Sequence, residues 1–487
     1  MSKKTTRRDF MKATALTGVG YWAMAGNAPS LRAQESNKPA LAGFGTGGKG
    51  DSDISSGARH CDVVVICDVD RRTLAKAQEK YPKAKAFTDY RKAFDEMEKS
   101  FDVVTVSTPD HMHAAISLKA MRAKKHCYTQ KPLTRTIYEA RLMGQVAKEM
   151  GVCTQMGNQG SGSNGLRKGA AQVKAGVLGT VKSVHVWSNR PIWPQGPGRR
   201  MTLEKFSETV RKEQPDRADR LIAAKKAEIE RDLENLDWEN WLGAAPERPY
   251  WGERLYHDFA HRGWWDFGGG ALADMACHTV NLPYSACDLK FPTSVQAKSS
   301  GHDFDSFPAR SEIKFAFPAN DIRPAIEFFW YDGGWKPPTD LLAKYGMENP
   351  AGSGALIIGE KGAMYSPDDY GSDWKLIGND GATLEPLSDD KLTYIPNRDN
   401  HDGEFYRAIR ENKPEECYSN FPNYAGPLTE TILLGNLAVW AASKENEWGE
   451  TVEWDAKNLV VTNLASLKTP GVADLIKPKY RGDHRLD

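Results

Sequence analysis

Apolar residues in the first third of the chain fall into short unbroken runs separated by helical stripes. Residues 39–42 read as one buried strand and Val63-Val64-Val65-Ile66-Cys67 as a second. A third begins at Phe101 and stops at Thr108-Pro109; His126-Cys127-Tyr128 and Val152-Cys153-Thr154-Gln155-Met156 are two more. Between them, 71–80, 113–123 and 137–150 have the composition and spacing of helices. Strand runs this apolar suit a sheet covered on both faces, so the alternation predicts a parallel sheet whose strand ends share one crevice.

The second half has a different rhythm. Stretches 181–189, 293–299, 310–317, 324–331, 355–358 and 362–365 are strand-like, several alternating apolar and polar residues. This predicts a large open sheet, mainly antiparallel. A charged helical insertion near 201–236 interrupts it, with Ile222, Ile229, Leu233 and Leu236 as an apolar stripe. A solvated insertion is the simpler expectation for it; a lid or subunit contact is the sharper one. Helices at 404–410 and 428–442 are expected to return toward the first domain, and 471–487 reads as a loosely held tail.

Composition narrows the classes. At roughly 150 residues per domain, 487 residues allow two or three units. A formal charge of +1 gives no footing for nucleic acid or a lipid surface. The seven cysteines are scattered with no C-x-x-C, so buried free thiols are expected, with room for one disulfide. Thr6-Arg7-Arg8-Asp9-Phe10-Met11-Lys12, a weakly apolar stretch to Ala25, and small residues there and at Ala33 have the form of a twin-arginine export signal spanning 1–33. That predicts a periplasmic protein. The apolar stretch falls short of the roughly 20 residues a bilayer needs, so no stable membrane span is expected.

The first candidate chemistry follows the first strand. Gly43-Phe44-Gly45-Thr46-Gly47-Gly48 fits G-x-G-x-x-G, and the second strand ends in Asp68. Gly43 is expected to permit the tight turn, Gly45 the approach of a pyrophosphate, and Gly48 close helix packing. Asp68 suits a ribose 2′-hydroxyl and repels a 2′-phosphate, which favours NAD over NADP, although Arg71 and Arg72 lie close by. The expected fold class is therefore α/β: an N-terminal Rossmann doubly wound parallel sheet (38–157) plus a C-terminal α+β domain (158–470) with a large open, mainly antiparallel sheet.

Three further places carry reactive groups. Lys131, in Gln130-Lys131-Pro132, ends a strand and so faces the crevice, where it can bind a substrate hydroxyl or relay its proton. Asp274 and His278 are four residues apart after a triple glycine, on one helical face, so the carboxylate can orient or charge-stabilise an imidazole base. Thr108, Pro109 and His113 sit at a strand end over the expected nicotinamide position. His111 and His113 have no matching Cys or His pair, so no metal site is expected. Trp187, Trp193, Trp264 and Trp265 flank the loops of this region as candidate sugar-stacking faces, with core packing as the alternative.

Together Gly43, Gly45, Gly48, Asp68, Thr108-Pro109 with His113, Lys131-Pro132 and Asp274-x-x-x-His278 resemble the Gfo/Idh/MocA oxidoreductases, over nearly the whole chain from about Lys38. The resemblance implies an NAD-dependent enzyme oxidising or reducing a ring hydroxyl of a sugar or sugar derivative. It implies that Lys131 contacts substrate and nicotinamide, Asp274 holds substrate and His278 is the acid/base, with homo-oligomerisation through the C-terminal sheet. Gln130 stands where the family usually has Glu, and Asn281 where it often has an acid; both are kept as ligand candidates. Two other readings remain: a glycosidase working by transient oxidation and elimination, and a non-catalytic nucleotide or sugar sensor.

Overall fold

In the computed structural model, residues 38–252, 255–320 and 323–486 are described. The expected export signal at 1–33 lies outside them. The first domain is a six-stranded parallel sheet in the order β3-β2-β1-β4-β5-β6. Its strands are β1 (Ala40–Phe44), β2 (Asp62–Cys67), β3 (Lys85–Phe87), β4 (Val103–Val106), β5 (His126–Thr129) and β6 (Thr154–Met156). The strand order reverses direction between β1 and β4, and ligand crevices lie at such a switch point. The apolar runs are buried as their composition requires: β1 and β4 have no exposed residue.

The second sheet runs β13-β12-β11-β7-β10-β9-β8-β15-β16, with β14 pairing β8. Its strands are β7 (Val181–Trp187), β8 (Ser294–Ser300), β9 (Ser311–Phe317), β10 (Ile326–Tyr331), β11 (Gly354–Gly359), β12 (Gly362–Ser366), β13 (Lys375–Gly378), β14 (Glu445–Trp448), β15 (Val452–Asp455) and β16 (Val460–Val461). Its pairs are antiparallel except β7 with β10. Strands β8 and β9 alternate buried and half-buried residues, which is the alternation seen in their sequences.

The charged insertion forms two helices, Leu203–Glu213 and Ala218–Asn235. As expected of a solvated insertion, the helices are largely exposed, with only Val210, Ala218 and Ile222 buried. The insertion's C-terminal end docks on the first domain, where Leu236 bridges Asp70, Asp237 N–H donates to the Val69 carbonyl and Arg71 donates to the Glu234 carbonyl. Three later segments also fold back. Helix His401–Glu411 packs Tyr406 against Gly57 and receives bonds on Asp402 from Ser56 and Tyr128. Helix Gly426–Trp440 ties Glu430 to Arg141 of helix Ile137–Met150.

The C-terminal stretch corrects the expectation of a loose tail. Val472, Ile476, His484 and Leu486 are buried, and Arg481 bonds the Ala245 carbonyl and Glu239. Its apolar residues are too widely spaced to register as an element, yet each finds a groove. All seven cysteines are free and buried. Among the described residues no helix is long and apolar enough to cross a membrane.

Candidate active site

The glycine loop links β1 to helix Lys49–Gly57. Two of its three glycines exchange the roles expected of them. A Cβ on Gly43 would sit 2.5 Å from Ile54, so Gly43 is what lets the helix pack on the strand. Gly48 makes the turn at φ 51°, with open space where its Cβ would be. Gly45, at φ 85°, lies against the Ser107 carbonyl, where a Cβ would come within 2.6 Å. The helix that follows has no capping side chain. Of its first-turn N–H groups, that of Gly50 is taken by the Gly47 carbonyl at 2.9 Å; the helix end keeps donors for a phosphate beside it.

A cavity of about 720 Å³ lies over this loop. One wall is Gly45, Gly48, Asp68, Ser107, Thr108 and Pro109; the other, from the second domain, includes Asn240, Trp241, His257, Phe259 and Arg262. Asp68 accepts from Thr46 N–H (2.7 Å) and hydroxyl (3.0 Å) on one oxygen and from Asp70 N–H (2.9 Å) on the other. It braces the loop and still lines the cavity. Arg72 is clamped on Asp70 (2.7 Å) and Arg71 on the insertion, so both arginines beside Asp68 have partners of their own. Thr108 Oγ1 is buried without a partner. The open helix end, the acid at the end of β2 and this orphaned hydroxyl fit a dinucleotide. Gly45, Gly48, Asp68, Thr108 and Pro109 would hold it. Gly45→Ala is expected to abolish nucleotide binding, since the new methyl meets backbone at a positive φ; equilibrium titration with NAD checks this.

Gly43, His113, Gln130 and Lys131 do not line that cavity. His113 is buried, its ring nitrogens 2.7 Å from the Thr108 carbonyl and 2.8 Å from the Pro132 carbonyl. It tethers the loop after β4 to the one after β5 instead of touching a ligand. Gln130 is buried too and donates to Asp53 at 2.8 Å.

Lys131, Asp274 and His278 come together. Lys131 Nζ lies 2.8 Å from Asp274 Oδ1 and 2.8 Å from the Asp274 carbonyl. His278 is one turn further along helix Gly270–Thr279. Burial pushes the Asp274 carboxyl up, but Lys131 and Arg262 outweigh it and hold it well below the usual carboxylate range. Burial, aided by the Lys131 charge, pulls His278 down to about 3. His278 Nδ1 has no partner, and its ring packs edge-on against Tyr370.

Sequence reasoning missed several members of this cluster. Arg262 Nε donates to Asp274 at 2.9 Å, and Arg190 Nε lies 3.8 Å from its other oxygen. His261 bonds buried Asp110 at 3.2 Å. Arginines in loops carry no periodic signal; the nearby Trp264-Trp265-Asp266 run marked only the neighbourhood.

The other ligand candidates are structural. Trp187 and Trp264 are fully buried and donate to the Ala351 and Leu255 carbonyls. Trp265 stacks on Phe307 inside the core. Trp193 is buried, donating to Gln195, T-shaped against Phe259 and with Arg262 over its ring at 6.0 Å. Asn281 is buried between Ser161 and Tyr424. Each sits where an indole or amide fills space between elements, which chain proximity to the site does not reveal. His111 bonds the Trp241 carbonyl, and among the described residues no group of His, Cys, Asp or Glu is arranged to hold a metal ion.

A glycine-loop nucleotide cavity beside a lysine, a carboxylate and an imidazole defines a nucleotide-dependent oxidoreductase architecture. Comparison with known proteins makes this specific. Residues 38–158 match the NAD-binding Rossmann fold of an oxidoreductase family, Gfo/Idh/MocA, and residues 221–320 match its C-terminal alpha/beta domain. Both stretches thus match the two domains of one family. The chain is 32% identical over 201 residues to a glycosyl hydrolase family 109 protein of Solibacter usitatus, covering 36% of this chain and 44% of that protein. It is 31% identical over 88 residues to levoglucosan dehydrogenase of Pseudarthrobacter phenanthrenivorans, 18% of this chain and 22% of that one. Both matches thus span less than half of those relatives. The fold resembles that of the WlbA dehydrogenase of Chromobacterium violaceum in complex with NADH and UDP-GlcNAcA, with TM-score 0.53, 16% identity, and coverage of 88% of this chain and 99% of the other.

Proposed function

We propose that this protein is an NAD-dependent oxidoreductase acting on a ring hydroxyl of a sugar or sugar derivative. The observation that carries the reading is Lys131 Nζ held 2.8 Å from Asp274, with His278 one turn away and Arg262 joining this cluster to the nucleotide cavity. His278, neutral because burial disfavours its charged form, accepts the hydroxyl proton. Asp274 offsets the charge that forms on the ring. Lys131 donates a hydrogen bond to the reacting oxygen and fixes its position. The nicotinamide, when bound, supplies the hydride acceptor or donor.

The experiment is to denature the purified protein, quantify released NAD(H), then follow NADH fluorescence with a panel of sugars. Bound nucleotide and NADH formation support the reading; absence of both overturns it. The 201-residue likeness to a glycosyl hydrolase family 109 protein favours a second reading, in which oxidation is transient and an aglycone is eliminated. Aglycone release without NADH accumulation selects it.

The twin-arginine pattern at Arg7-Arg8 supports export; replacement of both by Lys is expected to leave the protein in the cytoplasmic fraction. Pairing of two copies through the second sheet is supported by the family resemblance. Part of that sheet's outer face is already covered by Leu342, Tyr345 and Met347, so the contact area falls to the strands that carry Lys298–Glu312 and Lys314–Glu327 pairs. Light scattering on the purified protein reads the copy number.

A further inference from the structure

Three cations from distant stretches converge on one carboxylate. Lys131 follows β5, Arg190 follows β7, and Arg262 belongs to the segment that roofs the nucleotide cavity. Their side chains retain 16%, 20% and 17% of their exposure, whereas Asp274 retains 4%. The carboxylate is thus the buried hub, and the cations form the accessible rim. Asp110 is a second carboxylate in the field of Arg262, but it is buried and bonded to His261. Counting both acids against three cations still leaves one positive charge over.

Arg190 is the least satisfied of the three. Its Nε is buried with no hydrogen-bond partner, held 3.8 Å from Asp274, while another nitrogen of the guanidinium turns back to Asn189. A guanidinium cannot shed its proton to escape this cost. A buried donor left unpaired is destabilising, so an arriving acceptor that satisfies it gains affinity. A sugar hydroxyl offers an acceptor but no charge. An oxyanion offers both, and in a partly desolvated site a charge-assisted bond to arginine is the stronger one.

We propose that the sugar carries an acidic substituent, a carboxylate or a sulfate ester, that pairs with Arg190. This rests on the reading of the protein as a sugar oxidoreductase. Arg262 also lines the nucleotide cavity and could serve phosphates there; Arg190 does not line that cavity, so the test is placed on Arg190.

The experiment uses the holoenzyme and two sets of probes: uronic acids, each paired with its methyl ester, and sugar 6-sulfates, each paired with the parent sugar. NADH formation gives kcat/KM, and calorimetry gives binding independently of turnover. For at least one pair the acid is expected to exceed its neutral partner by about tenfold or more, in kcat/KM and in affinity. The set in which this occurs identifies carboxylate or sulfate. Arg190→Gln is expected to bring that ratio toward one, and Arg190→Lys to restore part of it. Equal values within every pair, or binding of neutral sugars alone, overturn the proposal while leaving the oxidoreductase reading standing. Acid-selective binding that depends on Arg190, with no hydride transfer to any sugar, sustains the anion site and overturns the oxidoreductase reading instead.

Discussion

Exchange of His278 for Asn is expected to slow hydride transfer by about 10²–10⁴-fold, the usual loss when a positioned general base is removed. Nucleotide content is expected to stay the same, because His278 does not line the nucleotide cavity. Two features suit the imidazole to the role, and a third sets the pH range over which it is neutral. It is buried in helix Gly270–Thr279, so its ring has one position. Its Nδ1 bonds nothing else in the protein. Burial and the Lys131 ammonium pull it down to about 3, against an ordinary 6.5, so the proton-accepting form persists as pH falls from 7 toward 4. The sign is clear: a lowered pKa keeps the base neutral over that window. Single-turnover rates taken by pH jump should therefore lack an acid limb at pH 6–7. A His278→Asn protein that keeps more than about a tenth of the rate removes His278 from the mechanism.

The second large effect lies one shell behind the lysine. Gln130→Glu is expected to destabilise the fold by about 3 kcal/mol or more, the scale of an uncompensated buried charge. Asp53 is buried and accepts from Lys49 (2.5 Å), Ser107 (2.7 Å) and Gln130 (2.8 Å). Burial already raises its pKa despite those donors. A glutamate at 130 would replace a donor with a second carboxylate, and no room exists for it to turn away, since Gly157 lies directly against the side chain. The acid that the resemblance leads one to expect at position 130 is in effect carried by Asp53, on the facing helix. The double change Asp53→Asn with Gln130→Glu exchanges donor and acceptor and is expected to recover most of the loss. Thermal melts of the two single variants and the double decide this; a Gln130→Glu protein as stable as the parent contradicts it.

Much of this was legible in the chain itself. The buried strands of the first domain announce themselves because a sheet covered on both faces needs unbroken apolar runs, and β1, β2 and β4 have them. The cluster of Lys131, Asp274 and His278 was legible because two of its members share a helix at a spacing of four and the third ends a strand. β3 was not, because three residues with only Phe87 buried give no pattern. The tryptophans misled because nearness in sequence to a loop does not say which way an indole turns, and Trp187 and Trp264 turn inward. Arg190 and Arg262 were invisible since their value lies in meeting Asp274 across 84 and 12 residues of chain. Gly43 and Gly48 were right as a pair but exchanged in role, because a glycine's role depends on what faces its missing methyl group.

The helices at 401–411 and 426–440 and the stretch ending at Leu486 all grip the first domain. With three such clasps, parting the two halves would mean releasing all of them at once.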